Sequence, residues 1–240
     1  MATFILIPGA WHGAWCWERV IPLLEADGHR AIAPELTGMG ENRARAAEGT
    51  LAGWIDQITA CVEAEPEPVV LVGHSRGGAV ISGVAERRPD RILRLVYAAA
   101  LLLRDGVAVR DQLGGVADAT PTRIHKDDDG TCRVEPDDVA AALYNTTDPA
   151  WVARAVAQLG PEPRVALRTP VSLSAERFGR VPRGYVECAQ DRTIPLAAQR
   201  AMQADWPCDR VVTLDCDHSP FYSAPADLAR ALIAMAAPTT

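Results

Sequence analysis

Six short apolar runs recur along the chain: TFILIP (3–8), RAIAPEL (30–36), PVVLVG (68–73), ILRLVYAAALL (92–102), GYVECAQ (184–190) and RVVTLDC (210–216). They are continuous or nearly so, the pattern of strands buried on both faces of a parallel sheet. Between them, helical spacing predicts helices over 16–27, 50–65, 77–88, 196–204 and 224–236. Arg87-Arg88-Pro89 supplies one of these helices with a cationic last turn and a stop. The alternation predicts an α/β fold, a mostly parallel six-stranded sheet with helices on both faces.

One stretch breaks this rhythm. Residues 104–183 contain no strong core strand, yet they separate two strands expected to follow each other closely. TRIHKDDDGTCRVEP reads as a hairpin turning at Asp129-Gly130, and DDVAAALYN and PAWVARAVAQLG read as amphipathic helices. A segment this long is more than a connection, so residues 104–183 are expected to form a cap inserted in one domain spanning 1–240. Its apolar residues Leu113, Leu143, Tyr144, Trp151, Val152 and Leu159 predict a hydrophobic pocket, although packing on the core predicts the same residues.

Composition narrows the class. A hydrophobic content of 48% with 23% charged residues is that of a soluble globular protein. The formal net charge of −7 argues against a nucleic-acid partner, which needs a concentrated basic patch. No window approaches the roughly 18 unbroken apolar residues of a membrane span. MATFILIPGAW lacks a basic stretch before its apolar run and reads as a first strand, not a signal peptide. The six cysteines form no CxxC pair and no zinc-like spacing with histidine, so a reduced, cytoplasmic protein without a metal is expected. The acidic run Asp127–Asp129 does not have the spacing of a calcium loop and reads as a solvated turn.

The chemistry centres on Gly73-His74-Ser75-Arg76-Gly77, which matches G-x-S-x-G between a buried strand and a helix. Small neighbours let a strand turn sharply into a helix and leave the serine hydroxyl exposed at the carboxyl edge of the sheet. Such a serine needs a base. Of His12, His29, His74, His125 and His218, only His218 follows the last strand, at the edge where open α/β sheets carry their sites. The base needs an acid to orient it. Asp191, after GYVECAQ, is favoured, and Asp105, after LVYAAALLL, is its rival. Donors for an oxyanion are expected from the N–H of Arg76 and from the loop Pro8-Gly9-Ala10-Trp11, with Ala10 the preferred donor. The Arg76 side chain is expected to form a salt bridge, or else to bias the pocket toward anions.

With these residues placed, the chain resembles the α/β-hydrolase superfamily, in the branch of plant methylesterases, hydroxynitrile lyases and bacterial esterases. The stretches that carry the resemblance are FILIPGAWHGAWCWERVIPLLEADGHRAIAPELTGMGE, VVLVGHSRGGAVI, RLVYAAALLL, ERFGRVPRGYVECAQDRTIP and CDHSPFYSAPADLARAL. It implies Ser75 as nucleophile, His218 as base, Asp191 as acid, and the Ala10 and Arg76 amides as oxyanion hole. It also implies a sheet without the superfamily's first two strands. Two positions depart from the pattern: Pro8-Gly9 stands where the family usually has His-Gly, and Ser219 stands where the lyases carry lysine. The second departure favours hydrolysis over lyase chemistry.

The expected function is therefore a cofactor-free serine hydrolase acting on a small or medium carboxylic ester. Gly9 and Trp11 are expected beside the substrate. A lactonase or C–C bond hydrolase would use the same triad, and a non-catalytic small-molecule-binding protein is the alternative of another class. The partner is a small ester or lactone, with the cap or the last helix as a possible homodimer face.

Overall fold

The computed structural model describes residues 1–237. Its strands are β1 (Thr3–Ile7), β2 (Arg30–Ile32), β3 (Val69–His74), β4 (Ile92–Ala98), β5 (Ile124–Lys126), β6 (Thr131–Val134), β7 (Glu162–Pro163), β8 (Arg183–Cys188) and β9 (Arg210–Leu214). The first helices are α1 (Ile21–Ala26), α2 (Leu51–Ala64), α3 (Gly77–Arg87) and α4 (Val109–Gly114). They are followed by α5 (Pro136–Leu143), α6 (Pro149–Gln158) and α7 (Arg164–Arg168). The chain ends through α8 (Leu196–Asp205), α9 (Pro220–Ser223) and α10 (Pro225–Ala236).

Six strands form one sheet in the order β2-β1-β3-β4-β8-β9, every neighbouring pair parallel. The continuous apolar runs follow from its two covered faces. Ile5, Ile7, Leu71, Leu95, Tyr97 and Tyr185 pack on one face, with Trp54 and Ile58 of α2 and Val80 and Val84 of α3. Phe4, Leu6, Val70, Val72, Val96 and Val186 pack on the other, with Leu24 of α1 and Leu228 and Leu232 of α10. Successive residues of each strand thus feed opposite cores.

The elements stop short of the expected ranges for identifiable reasons. The helix expected over 16–27 splits into a 3-10 turn, Ala14–Trp17, and α1, which restarts with proline in its first turn. Pro22 has no N–H for a helix interior but is tolerated there. The run 30–36 pairs only over Arg30–Ile32 and ends before Pro34. The run 92–102 leaves the sheet at Ala98 because Ala99 adopts a left-handed conformation, φ 45°.

Residues 104–183 join β4 to β8, which are neighbours in the sheet. The expected hairpin is present, with Lys126 paired to Cys132 and Gly130 at φ 89°, and Glu162–Pro163 adds a third antiparallel strand. Both expected helices form, as α5 and α6. The segment is tied to loops at the carboxyl end of the main sheet. Asp217 accepts from the Thr146 amide (2.9 Å) and the Thr147 hydroxyl (2.8 Å), and Thr193 Oγ1 donates to the Ala142 carbonyl (2.9 Å). Among the described residues, no helix is long and apolar enough to cross a membrane.

A polar bond between His12 and Tyr144 also closes this junction. His12 Nδ1–H donates to the Ala10 carbonyl (2.6 Å), so Nε2 must accept from the Tyr144 hydroxyl (2.6 Å). That tautomer is neutral, and burial lowers the His12 pKa to about 4. Burial, reinforced by His218, also pushes His74 well below the ordinary histidine value. Both rings are neutral in the fold but take up protons at the ordinary value when unfolded. Stability is therefore complete above pH 6.5 and falls as the pH drops toward about 4, the His12 limit. Over that window His12 alone accounts for about 3 kcal/mol. Urea unfolding across this range should show the slope, and His12→Gln should make it shallower. A slope unchanged by His12→Gln would contradict this assignment.

Candidate active site

Ser75 sits between β3 and α3 at φ 50°, a left-handed conformation that costs a non-glycine residue of order 1–3 kcal/mol. The surroundings hold it there. Its amide donates to Ala98 O (3.4 Å), and its carbonyl accepts from the amides of Gly78 (3.1 Å) and Leu101 (3.0 Å). The neighbouring glycines answer to crowding. A Cβ on Gly73 would meet the Gly77 carbonyl at 2.8 Å, one on Gly77 the Ile7 oxygen at 2.8 Å, and one on Gly78 the Leu101 oxygen at 2.3 Å. All three obstacles are backbone, which cannot swing aside.

His218 lies in the loop between β9 and α9, and Asp191 follows β8. The three side chains meet at the carboxyl edge of the sheet. His218 Nε2 is 3.0 Å from Ser75 Oγ, and His218 Nδ1 is 2.7 Å from Asp191 Oδ2. The other oxygen of Asp191 accepts from the amides of Thr193 and Ile194, each at 2.8 Å. Gln199 reaches Oδ2 at 3.4 Å. With Nδ1–H bound to the carboxylate, Nε2 faces the serine hydroxyl as an acceptor. His74 Nε2–H donates to the His218 carbonyl (2.7 Å), so His74 braces the loop that carries His218.

Asp105, the rival acid, and the two other carboxylates near His218 are occupied elsewhere. Asp105 accepts from the Leu173 amide (2.8 Å), and Asp215 accepts from Gln190 (2.9 Å). Asp217 spans Thr146, Thr147 and the Ser219 amide.

Ala10 and Arg76 border a chamber of about 60 Å³ together with Ser75 and His218. Among the described residues, neither amide donates to an intramolecular acceptor. Gly9 is needed for the approach: a Cβ there would meet His74 Nδ1 at 2.7 Å and Ser75 Cβ at 2.8 Å. Trp11 borders the same chamber from a left-handed backbone, φ 63°. The expected apolar lining is only partly realised. Leu113 and Leu143 face the chamber, whereas Tyr144 is taken up by His12, and Trp151, Val152 and Leu159 pack against the core.

The Arg76 side chain makes the expected salt bridge, and its partner is a residue without any motif around it. Arg76 Nε lies 3.0 Å from Glu162 Oε1, with both side chains buried. The guanidinium also donates to Gly9 O (2.8 Å) and stacks 4.2 Å from the centre of the Trp54 ring. Glu162 Oε2 accepts from the Trp11 amide (3.0 Å), and Trp11 O accepts from the Gly160 amide (2.9 Å). Burial raises the Glu162 pKa and lowers that of Arg76, and their mutual attraction opposes both shifts. One carboxylate from the inserted segment therefore holds both the loop after β1 and the residue following Ser75. Only the burial of a charged residue in the G-x-S-x-G motif hints, from sequence, that such a partner is needed.

Comparison with known proteins gives a consistent picture. The model of the alpha/beta hydrolase family matches residues 4–231. The chain is 31% identical over 247 residues to a putative chloroplastic methylesterase 11 of Arabidopsis thaliana, covering 97% of this chain and 63% of that protein. It is 30% identical to methylesterase 7 of the same plant, over 97% of this chain and 95% of the relative. Among solved structures, a pyrethroid hydrolase from Sphingobium faniae superposes with a TM-score of 0.85 at 28% identity, covering 98% of this chain and 97% of that one. The chain belongs to the alpha/beta hydrolase family, in the branch that contains the plant methylesterases.

Proposed function

We infer that the protein is a serine hydrolase of carboxylic esters, and that residues 104–183 are the cap over its site. The observation that carries this reading is the hydrogen-bonded series Ser75 Oγ, His218 and Asp191 beside two amides without acceptors. The likeness to methylesterase 7 along nearly the whole of both chains supports it.

The reaction follows from the geometry. His218 Nε2 takes the hydroxyl proton as Ser75 Oγ attacks the ester carbonyl, while Asp191 stabilises the imidazolium. The Ala10 and Arg76 amides donate to the oxyanion as it forms. Collapse of the tetrahedral species breaks the carbonyl–alkoxy bond, and His218 gives its proton to the leaving alcohol. Water then attacks the acyl-Ser75 ester, again losing a proton to His218, and the acid departs as Ser75 recovers its hydrogen. The same steps open a lactone, where acid and alcohol leave as one molecule.

Ser75→Ala and His218→Ala are each expected to lower kcat on a methyl ester by at least roughly 10³-fold while the circular dichroism spectrum is kept. Near-normal turnover by either variant would remove the assignment. Glu162→Gln tests the loop support. It keeps an acceptor for Trp11 but strands the Arg76 charge, at an expected loss of about 3–5 kcal/mol in urea unfolding. Arg76→Met in the same chain should recover most of that loss. Failure of the second substitution to recover stability would show that the ion pair is not the source.

A further inference from the structure

The chamber holding Ser75 adjoins a second cavity of about 390 Å³. The two share a collar formed by Trp11, Val109, Leu113, Leu143, Leu167 and Thr193. Beyond the collar the wall changes character. Arg110, Lys126, Arg164 and Arg168 border the outer cavity and not the inner one, and no carboxylate among the described residues borders either.

Three elements build this division. On α4, Val109 and Leu113 reach the collar and Arg110 the outer wall alone. On α7, Arg164, Leu167 and Arg168 are spaced i, i+3 and i+4, so one helix face carries a collar residue between two cations. On β5, Ile124 and Lys126 face the cavity, whereas His125 and its cross-strand partner Arg133 point the other way. Of the acids of the hairpin, Glu135 pairs with His125 (2.5 Å) and Asp127 with Arg133 (2.9 Å) on that far side, and Asp129 accepts from the Thr131 amide (3.0 Å) and hydroxyl (2.7 Å). Arg164 is fixed by the carbonyls of Gly130 (3.2 Å) and Asp127 (3.4 Å). Among the described residues, Arg110, Lys126 and Arg168 have no carboxylate partner.

The chain carries a formal net charge of −7, so four cations around one cavity run against its average. Charge of one sign along a concave, partly apolar wall focuses the field and concentrates opposite charge there. We propose that the outer cavity is an anion-recognising subsite, and that the preferred substrates are esters with a carboxylate at the far end. An apolar span threaded through the collar would separate that carboxylate from the scissile carbonyl. The proposal rests on the Ser75 reading above and extends it to a substrate class. The selecting cations are those of the outer wall, since Arg76 is committed to Glu162 and Gly9.

Monomethyl suberate and dimethyl suberate share one chain and a scissile methyl ester, and differ at the far end, a carboxylate in the first and a second, uncharged methyl ester in the other. Calorimetric titration of Ser75→Ala reads their binding without turnover. The monoester is expected to bind roughly tenfold tighter, a margin that shrinks as ionic strength rises. Arg110 and Arg168 are exposed, so substituting them leaves the core untouched. In Ser75→Ala/Arg110→Gln/Arg168→Gln the margin should fall to about twofold or less. Equal binding of the two esters, or a margin that survives in the triple variant, overturns the subsite. Turnover by the wild-type protein separates the two claims. Hydrolysis of both esters at equal kcat/KM removes the subsite and keeps the Ser75 chemistry. Anion-selective binding with no hydrolysis of either ester keeps the subsite and removes the esterase reading.

Discussion

Glu162 and Arg76 are withdrawn from water together, 3.0 Å apart, beneath the loop that follows β1. Burying two charges costs several kcal/mol per ion, and their mutual attraction and the hydrogen bonds each makes offset that cost. Here the compensation is shared with the site itself. Glu162 holds the Trp11 amide, and Arg76 holds the Gly9 carbonyl from beneath. The peptide of Ala10 lies between these two anchors, with its carbonyl held by His12. A donor aimed at a developing oxyanion must be fixed before the reaction, because reorganising it during the reaction would forfeit its effect. The ion pair supplies that rigidity, and it does so from the inserted segment.

The inserted segment is bonded to the loops of the sheet at further points. Asp217, adjacent to His218, is spent on Thr146 and Thr147, and His12 is spent on Tyr144. Movement of the segment as a whole would have to break buried polar bonds beside Ser75, His218 and Asp191. The backbone strain at Ser75 and Trp11 is maintained in the same way, by bonds on both sides of each residue.

Much of this was legible in the sequence, because a parallel sheet encodes its burial directly. The six apolar runs are the strands, and the G-x-S-x-G turn and the acidic and histidine loops each follow a strand's carboxyl end, so topology alone brings Ser75, Asp191 and His218 to one edge. Strand and helix limits were less legible, since they depend on Pro22, Pro34 and the left-handed Ala99. Glu162 was illegible for another reason: its partner lies 86 residues earlier, and nothing in Pro161-Glu162-Pro163 announces burial. The cations of the outer wall come from three elements whose convergence is a matter of three-dimensional packing. Apolar residues of the insertion could not be divided between pocket and core, and the division fell at Leu143 against Tyr144.

This packing should leave Ser75 as an activated nucleophile. Incubation with a fluorophosphonate reagent, followed by peptide mass spectrometry, reads that property without knowledge of the substrate. Phosphonylation is expected at Ser75 alone, absent from Ser75→Ala and strongly slowed in His218→Ala. A folded protein that remains unlabelled, or one labelled at another serine, would contradict it.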